Sequence, residues 1–307
     1  MSVDILMATY NGERYLRNQI LSLQQQTYDE WILWIRDDGS TDNTLNIIYE
    51  FARNDHRIRV VENEEKINLG PGKGFLLLTK NVTAPYAIFC DQDDIWLERK
   101  LENLLHYAEQ HFDPDTPSLV YCDAYGYSDK DGVITVQSVS RHHAKTLNEF
   151  LFFNGGYQGC SMLFNKKLCS LAANYKADII FMHDDIVSLL AHSFGKVYFL
   201  QKPLMLYRQH ENNVTGNIDY KLLSFIRRTL DFSRPVLTLK HYEEKRAFFE
   251  AYQNDLEDES KRLFSEYLRF PHCNKIQRLL LLFRNRFSYG GKFFLLIMKT
   301  IIRKPIG

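Results

Sequence analysis

Short apolar runs and stretches of helical periodicity alternate along the first hundred residues. Val3–Ala8 reads as a first strand and is broken by Thr9-Tyr10-Asn11-Gly12-Glu13. From Glu13 to Gln26, Tyr15, Leu16, Ile20, Leu21 and Leu23 recur at helical spacing, which predicts a helix. Trp31–Arg36 is a second strand, closed by the turn and capping residues Asp37-Asp38-Gly39-Ser40-Thr41-Asp42. Leu45, Ile48, Tyr49 and Ala52 continue as a helix, and Ile58–Glu62 is a third strand. A polar loop is expected over Asn68–Gly74, a helix from there to Asn81, and a fourth strand over Tyr86–Cys90. Strands and helices alternating at this pace predict a parallel sheet with crossover helices.

Such a sheet binds ligands beyond the carboxyl ends of its strands. Thr9–Glu13, Asp37–Asp42 and Asp91–Asp94 all fall there, so topology alone assembles three polar segments on one rim. The last of them concentrates the chemistry. Asp91, Asp93 and Asp94 follow the apolar run Pro85–Cys90 directly. Like charges at the end of a buried strand repel and resist desolvation, and a cation would relieve both. Asp-x-Asp at a strand end suits a hard divalent ion that keeps water and substrate phosphates as its other ligands.

Composition narrows the class. A hydrophobic fraction of 45% and a charged fraction of 25% over 307 residues are ordinary for a soluble globular chain. Five cysteines without a Cys-x-x-Cys pair argue against a disulfide framework or a zinc site. The chain opens on a strand-like run, not a signal peptide, and no apolar stretch is long enough to span a bilayer. Together these point to a reducing, cytoplasmic setting. The run 68–74 lacks Gly-x-x-x-x-Gly-Lys-Ser/Thr, and the first strand lacks Gly-x-Gly-x-x-Gly, which argues against a P-loop ATPase and a dinucleotide dehydrogenase.

The balanced net charge conceals two unlike parts. Residues 1–217 carry 20 basic against 28 acidic side chains, and residues 218–307 carry 18 against 10. The second part reads as helices around Leu222–Leu230, Lys240–Asn254 and Glu259–Phe270. After Glu266 it has no acid, and Lys or Arg alternates with Leu, Ile and Phe. That pattern suits a helix lying in an anionic membrane interface. The competing reading is a helical pack closing on the body or on a second subunit as a homo-oligomer. The basic stretch is too apolar for a nucleic-acid surface.

Four segments in order, Ala8-Thr9-Tyr10-Asn11-Gly12, Asp37-Asp38-Gly39-Ser40-Thr41-Asp42, Asn68-Leu69-Gly70 and Asp91-Gln92-Asp93-Asp94, resemble the nucleotide-sugar domain of the large inverting glycosyltransferase family with the GT-A fold. Gly159-Cys160-Ser161-Met162-Leu163-Phe164-Asn165, His183-Asp184-Asp185 and Tyr207-Arg208-Gln209-His210-Glu211-Asn212-Asn213 are similar to its bacterial rhamnosyltransferase branch. The resemblance covers residues 1–217 and implies an α/β, Rossmann-like, mostly parallel GT-A domain. The remaining 218–307 are expected to form a helical C-terminal region.

The resemblance implies roles. Asp93 and Asp91 would hold Mg2+ or Mn2+, with His210 as a further ligand and Arg208 and His210 toward the diphosphate. Thr9, Tyr10, Asn11, Glu13 and Asp38 would surround the nucleotide, with Asp91 also toward the ribose and Lys73 near the diphosphate. The family's general base matches Asp184. Related rhamnosyltransferases usually have an aromatic where Asp185 stands, which leaves the Asp184/Asp185 choice open and points to a different acceptor pocket. Gly159 would let backbone approach the sugar. Trp96 is either a sugar platform or core, and Asp94 either serves the sugar and acceptor side or caps the following helix. The expected reaction is transfer of L-rhamnose from dTDP-L-rhamnose to a lipid-linked saccharide at the inner membrane face. A UDP-hexose or UDP-N-acetylhexosamine transferase is the alternative within enzymes, and an inactive nucleotide-sugar-binding module the alternative outside them.

Overall fold

The computed structural model describes residues 1–63, 67–135, 139–140, 142–210, 231 and 233–307. The expected alternation is present in its first half. Strands β1 (Val3–Thr9), β2 (Trp31–Asp37), β3 (Ile58–Val60) and β4 (Tyr86–Phe89) pair in parallel, in the spatial order β3-β2-β1-β4. Helices α1 (Leu16–Gln24), α2 (Thr44–Asn54) and α3 (Gly70–Leu78) make the crossovers. The run 68–74 departs from the expected loop, because α3 begins at Gly70. Pro71 sits in its first turn, where a missing N–H costs nothing, and Phe75, Leu76 and Leu78 are buried.

Past β4 the sheet becomes mixed. Strand β5 (Ile95–Trp96) pairs antiparallel with β9 (Lys196–Arg208), and β8 (Met162–Asn165) runs antiparallel to both β4 and β6 (Ser118–Ser128). Strand β6 pairs parallel with β9, and the short β7 (Gly132–Thr135) extends β6. Strand β9 runs for 13 residues. Exposed Lys196, Gln201 and Lys202 interrupt its apolar pattern, and its register on β6 shifts around Asp123.

Two apolar cores lie on the two faces of the sheet. One gathers α1, α2 and α4 (Lys100–His111) against Val3, Ile5 and Met7. The other gathers α3, α6 (Lys166–Ala173) and α7 (His183–Phe194) against Leu6 and Phe89. This alternation along β1 is the period-two pattern of a strand buried on both faces.

The expected helix at Leu222–Leu230, the boundary at 217/218 and the residues Glu211, Asn212 and Asn213 lie outside the described residues. Beyond them, α8 (Leu239–Tyr252), α9 (Asp258–Arg269), α10 (Lys275–Asn285) and α11 (Phe293–Ile302) follow. A short α5 (Leu147–Phe150) precedes the Phe152 turn that receives them. Leu237, Phe248, Phe264, Tyr267, Leu282, Phe287 and Leu296 join the same core as α7. Phe152 packs on Tyr267, Phe270 and Phe287 with ring centroids 4.9–5.3 Å away.

The outer faces of α10 and α11 are a different surface. Ile276, Leu280 and Phe283 are 72%, 63% and 58% exposed, at i, i+4 and i+7. Phe294, Met298 and Ile301 repeat that spacing on α11, with Phe294 80% exposed. Phe283 and Phe293 join the two stripes at 5.0 Å. Exposed Lys275, Arg284, Arg286, Lys292 and Lys304 surround them. These helices therefore pack on the body with one face and leave an apolar, basic-edged face exposed.

Candidate active site

A cleft of about 1010 Å³ opens at the carboxyl ends of β1, β2 and β4. Thr9, Tyr10, Asn11, Asp38, Asp91, Asp93, Gly159, Asp184 and His210 all line it. These nine expected site residues come from segments up to two hundred positions apart.

Hydrogen bonds within the rim fix its backbone. Asn11 takes a left-handed conformation, φ 46°, tolerable for Asn. Its N–H donates to Ser40 Oγ at 2.9 Å, and its Oδ1 accepts from Thr41 N–H at 2.9 Å. Gln92 holds Tyr10 through both backbone groups, each at 3.0 Å. The Tyr10 ring stays half exposed on the rim. Thr9 Oγ1 donates to Asp37 Oδ1 at 3.0 Å, while Asp37 Oδ2 accepts from Gly39 and Ser40 N–H, so Asp37 holds its own turn. Asp38 is buried, pairs with Arg36 and accepts from Gly70 N–H at 2.7 Å. That contact ties the end of β2 to the start of α3.

The acid cluster is the electrostatic centre. Burial pushes the Asp91 carboxyl up to about 7, and the neighbouring Asp93 adds to this. Asp94 is pushed up well above the carboxylate range by burial, then by Asp93 and Asp91. Its Oδ1 accepts from Arg208 N–H at 2.9 Å, but its buried Oδ2 has no hydrogen-bond partner among the described residues. Asp93 Oδ2 accepts from His210 Nε2 at 2.8 Å. Asp91, Asp94 and Cys160 bring their ligand atoms within 4.8 Å of one another. Burial pushes the Cys160 thiol well up, so it stays protonated and ill suited to a hard cation. Asp91, Asp93 and His210 carry the carboxylate and imidazole donors that would suit one, and all three line the cleft. The Asp94 oxygen and the raised Asp91 mark a crowded group of acids whose repulsion a cation would relieve.

Asp184 and Asp185 open α7 and point different ways. Asp184 lines the cleft, and its carboxyl is pushed well up by burial, then by Asp185, then by Asp91. Asp185 is turned away, with Oδ2 3.3 Å from His241 Nε2 on α8. A β-carbon on Gly156 would lie 2.8 Å from Asp185 N and against the Asp184 carbonyl, so only glycine allows this approach. Gly159 likewise admits the His183 ring, whose Nε2 would be 2.5 Å from a β-carbon there.

Six expected site residues, Asp185 among them, sit elsewhere. Trp96 is 2% exposed and packs in the core under Lys100 Nζ, 3.8 Å from its ring, so it is no sugar platform. Lys73 is exposed and outside the cleft, because the helical start of 70–74 turns it outward. Glu13 accepts from Asn43 N–H at 2.9 Å and so braces the start of α2, away from the cleft lining. Arg208 lies beneath the cluster: its Nε donates to the Asp93 carbonyl at 2.6 Å, and its guanidinium pairs with Asp129. Asp94 holds the β9 backbone at Arg208 and, like Asp185, is not part of the cleft lining.

Other groups were not legible. Tyr15 reads as an apolar helix position, yet His210 lies 5.0 Å from its ring and the Arg208 guanidinium 4.6 Å above it. Lys100 reads as the start of α4, yet it is fully buried and donates to the Cys160 carbonyl at 2.6 Å, placing a cation behind the acids. His183 is buried among Phe75 and Phe89, and burial pushes its imidazole down to about 3. The acidity of the β6–β7 turn was the one available signal, for Asp129.

Comparison with known proteins adds kinship to this geometry. Residues 4–170 match the profile "Glycosyl transferase family 2". The dTDP-rhamnosyl transferase RfbG of Shigella flexneri is 34% identical over 232 residues, 70% of this chain and 75% of that protein. The Escherichia coli UDP-Glc:alpha-D-GlcNAc-diphosphoundecaprenol beta-1,3-glucosyltransferase WfgD is 37% identical over 100 residues, 33% of this chain and 38% of that protein. Among solved structures, S. aureus TarS 1–349 in complex with UDP-GlcNAc aligns with TM-score 0.60 and 21% identity, over 94% of this chain and 74% of that one. The mannosyltransferase PcManGT from Pyrobaculum calidifontis, in complex with GDP-Man and Mn2+, aligns with TM-score 0.54 and 15% identity, over 97% and 86%.

Proposed function

Because this chain belongs to glycosyl transferase family 2, with the GT-A fold and a helical C-terminal region, we propose that it transfers L-rhamnose from dTDP-L-rhamnose, with inversion, to a lipid-linked saccharide. The observation that carries the reading is that Asp184, Asp91, Asp93 and His210 line one cleft, with His210 on Asp93. The 34% identity to a dTDP-rhamnosyl transferase supports the donor, and the diphosphoundecaprenol acceptor in the name of WfgD supports a lipid-linked acceptor.

Asp91, Asp93 and His210 would hold Mg2+ or Mn2+. When bound, such an ion neutralises charge developing on a leaving diphosphate. Asp184 takes the proton of the acceptor hydroxyl as that oxygen bonds to the anomeric carbon, while the bond from this carbon to the diphosphate oxygen breaks on the opposite side. Burial, then Asp185 and Asp91, raise its carboxyl and make it a stronger proton acceptor once ionised. Tyr10, Asn11 and Asp38 border the space for the nucleotide.

The apolar outer face of α10 and α11, ringed by basic side chains, would seat the protein on an anionic membrane that carries the acceptor. No described helix is long and apolar enough to cross a membrane.

A panel of dTDP-L-rhamnose, UDP-glucose, UDP-galactose and UDP-N-acetylglucosamine with Mn2+ tests the donor. The true donor binds the folded state and raises the melting temperature. dTDP-L-rhamnose should give the largest shift and the fastest release of nucleoside diphosphate. A UDP-sugar that surpasses it in both overturns the donor.

A further inference from the structure

Helix α7 begins without a side-chain cap. Its N-cap residue is Met182, and Asp184 Oδ1 accepts its neighbour's N–H at 3.0 Å. An uncapped first turn is free to fray, yet this one carries the carboxylate that faces the cleft. What holds it comes from the C-terminal region. His241 and Glu244 lie one turn apart on one face of α8. His241 Nε2 pairs with Asp185 Oδ2 at 3.3 Å, and Glu244 Oε1 accepts from Phe181 N–H at 3.1 Å. The two grips bracket Asp184.

The same helix holds the opposite wall. Lys245 Nζ donates to the Phe153 carbonyl at 2.9 Å, and Asn154 Nδ2 donates to the Val236 carbonyl at 3.0 Å, just before α8. The segment so held leads directly into Gly155 and Gly156, which press on the Asp184–Asp185 peptide. His241 is itself fixed. Thr238 is the N-cap residue of α8, but its hydroxyl makes no capping bond and lies 2.6 Å from His241 Nδ1. One ring nitrogen is thereby engaged, leaving Nε2 to donate to Asp185. This arrangement depends on an aspartate at 185.

The geometry points to Thr238, His241 and Asp185 as a chain of positioning residues that aims Asp184 into the cleft. The C-terminal helices are then a working part of the catalytic body. The inference rests on the reading of Asp184 as the base.

The test uses the full chain and measures release of nucleoside diphosphate from dTDP-L-rhamnose, or from the UDP-sugar that surpasses it, with kcat and donor KM determined separately. His241→Ala should lower kcat about tenfold or more while donor KM stays within about twofold, because misaiming a reacting group by an ångström costs rate, not donor affinity. His241→Gln, whose amide N–H can reach Asp185, should recover most of the loss. His241→Ala combined with Asp185→Asn should be no worse than the poorer single variant, as expected for one coupled unit. Thr238→Val should give a smaller kcat loss in the same direction, and it carries the test if His241→Ala does not fold. A folded His241→Ala or Thr238→Val with unchanged kcat overturns the inference. So does equal impairment by Ala and Gln, or a loss confined to KM. Asp184→Asn separates the two readings: if it retains full turnover, the base assignment fails and the brace with it. If it is inactive while His241→Ala matches the parent, only the brace fails.

Discussion

His210 Nε2 lies 2.8 Å from Asp93 Oδ2, across 117 positions of chain. The contact brings the end of β9 onto the loop after β4, next to Asp91. A cation site assembled from two distant segments should fail when either is altered. Asp93→Ala and His210→Ala should each leave the melting temperature in the presence of EDTA near that of the parent. Both should lose the stabilisation that Mn2+ gives the parent protein. An ion of this kind supplies several kcal/mol to the transition state, so transfer by Asp93→Ala should drop by about a thousandfold. Undiminished transfer in EDTA would exclude the site.

Asp184→Asn preserves size and hydrogen bonding but cannot accept a proton. Donor binding, read as the thermal shift with dTDP-L-rhamnose, should persist. Transfer should fall roughly 10²–10⁴-fold, the usual contribution of a general base. Asp185→Asn should cost less, because Asp185 faces His241 and not the cleft. The opposite ranking would exchange the two assignments.

Two buried imidazoles make the fold sensitive to acid. Burial pushes His183 and His192 down to about 3. His192 Nε2 lies 2.9 Å from Tyr157 Oη, whose own proton goes to the Ala144 carbonyl, and burial keeps the ring neutral. In the unfolded chain each His binds a proton near pH 6.5, while the folded chain resists until about pH 3. The unfolded state therefore gains protons first, and stability falls as pH drops through that window. Each ring contributes a slope approaching about 1.4 kcal/mol per pH unit. Urea denaturation at pH 7 and pH 5 should show the loss, and His192→Gln should reduce it. A pH-independent difference between parent and variant would refute the assignment.

The two faces of the tail should separate under mutation. Deleting everything after Phe270 removes Leu281, Leu282, Phe287 and Leu296 from the core. At roughly 1.5–3 kcal/mol per buried side chain, that loss approaches the whole stability of a typical domain, about 5–15 kcal/mol. The truncated chain should aggregate or melt far below the parent. Replacing exposed Leu280, Phe283 and Phe294 with Ser, or Lys275, Arg284 and Lys292 with Gln, should spare the melting temperature. Either set should abolish co-sedimentation with anionic vesicles, and raised salt should weaken binding of the parent. Parent protein that ignores such vesicles would leave the surface without this role.

Local sequence determined a good deal. The runs at Val3, Trp31, Ile58 and Tyr86 are nearly continuous in apolar residues because parallel strands are covered on both faces, and that pattern marked each one. Topology then placed Thr9–Asn11, Asp38, Asp91 and Asp93 on one rim, since in a parallel sheet the strand ends coincide. Helices α8 and α9 were equally legible, because amphipathic period is a local property.

Tertiary structure alone decided what depends on direction and distance. Asp184 and Asp185 are adjacent and chemically identical, and the 100° step of a helix sends one to the cleft and the other to His241. Trp96 reads as either a sugar platform or core, and the pairing of β5 with β9 decides for the core, with Lys100 Nζ over its ring. Arg208 reads as a ligand for phosphate and instead supports the acid cluster from below, because β9 brings its backbone onto Asp94. In each case the residue type is written in the chain, but its partner is set by long-range pairing, whose register no local periodicity encodes.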